Sequence, residues 1–123
     1  MTTGLDHTIV HARDHDASAV FLTAILGLPP PRAVGRFAAV ALDNGVTLDY
    51  AQAREPFDRA HYAFVVAPGE LDAILGRVRE RGLPWWADPG HGRPKECYVR
   101  DDRRGFYFDD PDGHSLEVLE RRA

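Results

Sequence analysis

Cysteine is almost missing from this chain: Cys97 is the only one in 123 residues. An intrachain disulfide is excluded, and no fitting partner beside Cys97 makes it a catalytic motif. Long apolar runs are missing too. No stretch approaches the ~18 residues that span a membrane. The start, Met1-Thr2-Thr3-Gly4-Leu5-Asp6, lacks a basic segment followed by an apolar one, so no signal peptide is read. A cytoplasmic location is the expectation, in keeping with the near absence of cysteine. Excess positive charge is a third absence. Lys and Arg number 15 against 19 Asp and Glu, a formal net charge of −4. A nucleic-acid binder presents a basic face. Arg77, Arg79 and Arg81 read instead as the solvated side of a helix, so neither nucleic acid nor membrane is an expected partner.

What is present is enough for a core. Hydrophobic residues make up 44% of the chain, and a length near ~100–150 residues is that of one domain, here 1–123. Within it a pattern occurs twice. Asn44-Gly45-Val46-Thr47-Leu48-Asp49 matches Asp112-Gly113-His114-Ser115-Leu116-Glu117 at a spacing of 113 − 45 = 68. His7-Thr8-Ile9-Val10 matches His61-Tyr62-Ala63-Phe64 at 61 − 7 = 54. Strands are expected over Leu5 to Ala12, Phe37 to Leu42, Val46 to Ala51, His61 to Val66, Gly105 to Asp109 and Ser115 to Glu120, with a short one near Arg32 to Gly35. Asp14 or Asp16 caps a first helix, whose stripe Ala17, Val20, Phe21 and Ala24 is expected to face the core. Leu71, Ile74, Leu75 and Val78 form the second stripe. Gly27-Leu28-Pro29 and Gly82-Leu83-Pro84 end the two helices. About thirteen additional residues separate the later elements of the second copy (68 − 55), in the loop Asp88-Pro89-Gly90-His91-Gly92-Arg93-Pro94. The fold class is therefore α+β, two tandem βαβββ modules covering about 4–52 and about 60–120.

Strand parity decides which side chains share a face. His7 lies with Ile9 and His11, Asp49 with Thr47 and Ala51, His61 with Ala63 and Val65, and Glu117 with Ser115 and Leu119. One polar side chain per strand then points inward among apolar neighbours. Imidazoles and carboxylates so placed are costly to bury unless paired or metal-bound. His7, His61 and Glu117 are the candidate ligands, with Asp49 as a fourth group that reaches less far. Two imidazoles with one or two carboxylates suit a divalent Zn, Ni, Mn, Co or Fe ion.

Three runs carry a resemblance: Leu5-Asp6-His7-Thr8-Ile9-Val10, His61-Tyr62-Ala63-Phe64, and Phe106-Tyr107-Phe108-Asp109-Asp110-Pro111-Asp112-Gly113-His114-Ser115-Leu116-Glu117. With them the chain resembles the vicinal oxygen chelate superfamily of glyoxalase I, fosfomycin-resistance transferases, extradiol dioxygenases and bleomycin-resistance proteins. The resemblance implies paired modules forming a curved mixed-sheet cup around a metal, His7, His61 and Glu117 as its ligands, and a homodimer. The chain departs from the pattern twice. Thr47 stands where glyoxalase-like members carry a glutamate, and Ile9 where fosfomycin transferases carry a threonine. Both particular activities are thereby disfavoured.

The chemistry expected is that of a small oxygenated substrate held through two adjacent oxygens, its developing negative charge neutralised at the metal. Lyase, isomerase and dioxygenase reactions all fit. Asp49 or Glu117 is the candidate proton shuttle. A rival reading is a drug-sequestering cup without catalysis. Trp85 or Trp86, Tyr98, Phe106 and Tyr107 would line its groove, and Arg100, Arg103 or Arg104 would take an anionic group. Trp85, Tyr98, Arg104 and Tyr107 are the candidate substrate contacts. The loop from Asp88 to Arg104 is the candidate lid, with His91 and Glu96 on it.

Overall fold

Two backbone hydrogen bonds show the duplication at atomic level. Thr47 N–H donates to the Asp6 carbonyl at 3.0 Å, and Ser115 N–H donates to the Ala60 carbonyl at 2.9 Å, the same contact 68 and 54 residues on (115 − 47, 60 − 6). The computed structural model describes residues 2–121. It divides into two units, 1–58 and 59–123. The first runs β1 (His7–Ala12), α1 (His15–Leu26), β2 (Arg32–Val34), β3 (Phe37–Ala41), β4 (Thr47–Gln52). The second runs β5 (His61–Val66), α2 (Glu70–Glu80), β6 (Tyr98–Arg100), β7 (Arg103–Asp109), β8 (Ser115–Arg121). The sheets are ordered β1-β4-β3-β2 and β5-β8-β7-β6. In each, the first strand pairs in parallel with the last and the remaining pairs are antiparallel. This is the tandem βαβββ architecture. No helix among the described residues is long and apolar enough to cross a membrane.

Turn chemistry fixes the hairpins. Gly45 takes φ 88°, and the Asn44 carboxamide accepts from Val46 N–H at 3.2 Å. In the second unit Asp110 Oδ1 accepts from Asp112 N–H at 2.9 Å and His114 N–H at 2.8 Å. His114 is buried, and its Nδ1 accepts from Ala60 N–H at 2.9 Å, so it serves the framework. Burial pushes the Asp110 carboxyl above its ordinary value.

The helices differ in how well they match expectation. In α2, Leu71, Ile74, Leu75 and Val78 are all buried. In α1 the buried set is Ser18, Ala19, Leu22, Thr23 and Ile25, while Val20 is 54% exposed and Ala17 and Ala24 lie outside. The expected stripe thus faces the wrong way. Leu28 N–H donates to the Thr23 carbonyl as Leu83 N–H does to that of Val78, a helix spacing of 55 (78 − 23). The stripe Ala17, Val20, Phe21 and Ala24 lies 54 residues before Leu71, Ile74, Leu75 and Val78, one residue off the helix spacing, and one residue is a rotation of ~100°. Because α1 is apolar nearly all round, its periodicity does not correct the error.

The expected lid is tied down. Asp88 accepts from Gly92 N–H at 2.9 Å and Arg93 N–H at 2.8 Å. These bonds hold its carboxyl below the usual range. His91 stacks on Trp86 at 3.5 Å and 8°. Its Nε2 lies 3.5 Å from Asp109, and Glu96 pairs with Arg93 at 3.2 Å. The segment also contains β6, three residues too short to announce themselves by pattern.

Candidate metal centre

Register builds the second unit's site. Tyr107 and Ala63 both pair with Glu117, from β7 and β5 on either side of β8. Parity then puts His61, Glu117, Tyr107, Gly105 and Tyr98 on one face. His61 Nε2 lies 3.2 Å from Glu117 Oε1. Two donors each ~2.0–2.2 Å from one ion, at tetrahedral or octahedral angles, sit roughly 3.0–3.5 Å apart, so this pair fits a shared cation. The other carboxylate oxygen, Oε2, accepts a short hydrogen bond from the Tyr98 hydroxyl. Such outer partners orient ligands and hold them in place. Glu117 is buried, with Tyr98, Tyr107, Ala87 and Leu119 packed in one cluster on its face. The Tyr107 ring lies 5.7 Å from that of His61.

The first unit repeats the diagonal. His7 pairs with Thr47 and Ile9 with Asp49, so His7 stands to Asp49 as His61 stands to Glu117. Asp49 is near enough to contribute to the raised pKa of His7. The larger cause is Asp6, whose carboxylate bonds His7 Nδ1 at 2.8 Å. That contact leaves Nε2 for a metal and is the carboxylate–imidazole pairing found behind metal-bound histidines. Asp6, His7, Thr47 and Asp49 line one cavity together with Arg32, Val34, Ala39 and Ala41. No group of three His, Cys, Asp or Glu side chains positioned for an ion occurs among the described residues. The donors come as an imidazole–carboxylate pair in each unit.

Two of the expected substrate contacts, Arg104 and Trp85, lie away from the Glu117 face. Arg104 pairs with Glu120, on the face opposite Tyr107 and Glu117. Its guanidinium is engaged by Asp72 of α2 at 2.5 Å and Glu120 at 3.3 Å. Trp85 sets its ring edge-on to Phe106, a fully buried residue on that same helix-covered side. It is Trp86 that bridges to Tyr107, through backbone bonds of 2.9 and 2.7 Å. Tyr98 and Tyr107 do lie on the Glu117 face. Sequence reasoning missed Asp6 and Gly105. Asp6 directly precedes His7 and was legible as a partner; Gly105 became meaningful only with the β6–β7 register.

Burial raises the Tyr107 hydroxyl to about 12, with the Glu117 charge adding to it, and burial together with the hydrogen bond to Glu117 pushes Tyr98 higher still. In the unfolded chain a tyrosine titrates near ~10. The folded state therefore holds these protons more tightly, and raising the pH favours unfolding. Stability is expected to be flat below pH ~10 on this account and to fall as pH rises from there toward about 12. Denaturant melts across that range check it, with Tyr107→Phe flattening the decline.

The chain belongs to the Glyoxalase/Bleomycin resistance protein/Dioxygenase superfamily, whose family pattern matches residues 4–118. Among solved structures, "Oxidase ChaP-H1" is 55% identical with a TM-score of 0.95, over 98% of this chain and 97% of that one. "Oxidase ChaP-H2" is 51% identical with a TM-score of 0.94, over 98% and 95%. A curated relative, "Glutathione transferase FosA" of Serratia marcescens, is 29% identical over 96% of this chain and 81% of its own length.

Proposed function

We propose that this chain is a metal-dependent oxidase acting on a small oxygenated molecule, with His7, His61 and Glu117 holding the ion. The observation that carries the reading is the His61–Glu117 pair, spaced at 3.2 Å as two ligands of one cation would be. The likeness to two oxidases at 55% and 51% identity narrows the reaction class. Among Zn, Ni, Mn, Co and Fe, a two-histidine, one-carboxylate set favours Fe²⁺. Bound there, the ion would supply Lewis acidity and redox capacity toward oxygen.

The protein's own groups do the rest. Tyr98 fixes the Glu117 carboxylate in one orientation. Tyr107 and Ala87 exclude water from its flank. Asp49 has no hydrogen-bond partner among the described residues and faces His7, which makes it the proposed proton carrier. Glu117 serves as ligand. A cytoplasmic homodimer belongs to the same reading.

Elemental analysis of the chain after Fe²⁺ loading, with oxygen uptake recorded in parallel, tests this. One ion per chain is expected, with occupancy falling at least roughly tenfold in His7→Ala and in His61→Ala. Full occupancy in both variants would overturn the assignment.

A further inference from the structure

The two units have diverged on their ligand-bearing faces. In the second unit Tyr107 pairs with Glu117 and Tyr98 with Gly105. The equivalent pairs in the first are Ala39 with Asp49 and Val34 with Phe37. Two rings are thus replaced by the smaller side chains of Ala39 and Val34, while Phe37 stands where the second unit has Gly105. A cavity of about 330 Å³ lies there, within the range that holds small ligands. Ala39 and Ala41 give it a flat apolar floor, and Val34, 48% exposed, gives it a wall.

Its polar groups are unequal. Asp6 is bound by His7. Asp49 sits on β4, two strands from Arg32, roughly 9–10 Å by strand spacing. Arg32 is on edge strand β2 beside Ala39, and its guanidinium makes no hydrogen bond or ion pair among the described residues. A guanidinium offers five donors in a planar fork matched to a carboxylate. Here all five are unused at the edge of a cavity whose apolar part is Val34, Ala39 and Ala41 and whose other lining groups are Asp6, His7, Thr47 and Asp49. The opposite end of that cavity holds His7.

We propose that this cavity is a carboxylate-terminated substrate slot, in which Arg32 grips the carboxylate of a ligand whose flat apolar body lies on Ala39, Ala41 and Val34. The proposal rests on the oxidase reading for what happens at the His7 end. It gives that reading a substrate class, a planar monocarboxylate, and makes Arg32 the residue that selects it. Neutral isosteres would lose the bidentate contact and leave the guanidinium partnerless.

The test titrates the full-length chain with 1-naphthoate and with its uncharged isostere 1-naphthamide, by calorimetry, with and without added Fe²⁺. The wild type is expected to bind the acid at least about tenfold more tightly than the amide. Arg32→Ala should erase the difference, and Arg32→Lys should keep a reduced one. Arg32 is exposed on an edge strand, so both variants are expected to fold, and circular dichroism checks that they do. Equal binding of acid and amide by the wild type overturns the slot. So does a preference for the acid that survives in Arg32→Ala, or no binding of either compound up to about 5 mM. An acid preference that persists in a chain unable to retain iron sinks the oxidase reading alone. Iron retention without the preference sinks the slot alone.

Discussion

Glu117→Gln is expected to abolish both ion retention and turnover, with activity falling by about 10³ or more, while the protein stays folded. The amide preserves the shape of the side chain and leaves an oxygen to accept from Tyr98, so the buried hydroxyl keeps its partner. What it removes is the charge that pairs with a cation. The same charge has an opposite effect without metal. It is then a buried carboxylate held by one tyrosine and one half-exposed imidazole, and burying it is unfavourable. Metal-free Glu117→Gln is therefore expected to be as stable as the metal-free wild type, or more so. Adding Fe²⁺ should reverse the order. Ligand at a thousandfold its dissociation constant stabilises a folded state by about 4 kcal/mol, and only the wild type collects that. Thermal melts of both proteins with and without the ion show whether the curves cross. Parallel upward shifts in the two proteins would mean that Glu117 holds no metal.

Where the sequence was legible, a strict period made it so. Parity grouped His61 with Ala63 and Val65, and Glu117 with Ser115 and Leu119, because the alternation is fixed at two residues; the pairing of β5, β8, β7 and β6 then adds Tyr107 and Tyr98 to that face. The α2 stripe was readable because its other face is charged, with Glu70, Asp72, Arg77 and Arg79. The α1 face was not, since an apolar helix offers no contrast between its sides. Arg103 and Arg104 show the same limit in a strand. They are adjacent, so one must face Glu117's side and the other α2. Only the pairing of Arg104 with Glu120 decides which. Trp85 and Trp86 pose the same choice in a segment whose extended pairing with Tyr107 has no sequence signature. The loop that reads as a lid owes its order to the Asp88 carboxylate and the Trp86–His91 stack. Both are contacts between residues whose composition alone says only turn.

Gly105→Ala is expected to lower stability by about 1–3 kcal/mol and to weaken the metal site from a position that holds no ligand. A Cβ there would lie 2.5 Å from the Tyr98 hydroxyl oxygen, 2.7 Å from its ring carbon Cζ and 2.6 Å from the Val118 carbonyl oxygen. Side-chain rotation relieves only the first two contacts. The third is backbone, so strands β7 and β8 must also shift apart. Tyr98 has little room to yield, packed as it is with Ala87, Tyr107 and Leu119. It is displaced from Glu117 as it moves, and the carboxylate loses its hydrogen-bond partner. Tyr98→Phe removes that bond without the crowding, at about 1.5–3 kcal/mol for a hydrogen bond to a charged group. The two substitutions act on one contact, so their combination should fall short of additivity, with a coupling of about 0.5–3 kcal/mol. A double-mutant cycle by chemical denaturation, read beside iron affinity for each variant, measures it. Full additivity, or a Gly105→Ala protein within about 0.5 kcal/mol of wild type, would show that the missing side chain is not what admits Tyr98 to the carboxylate. If the cycle closes as expected, a glycine on a neighbouring strand sets the orientation of Glu117, because only a backbone without Cβ leaves space for the tyrosine that fixes it.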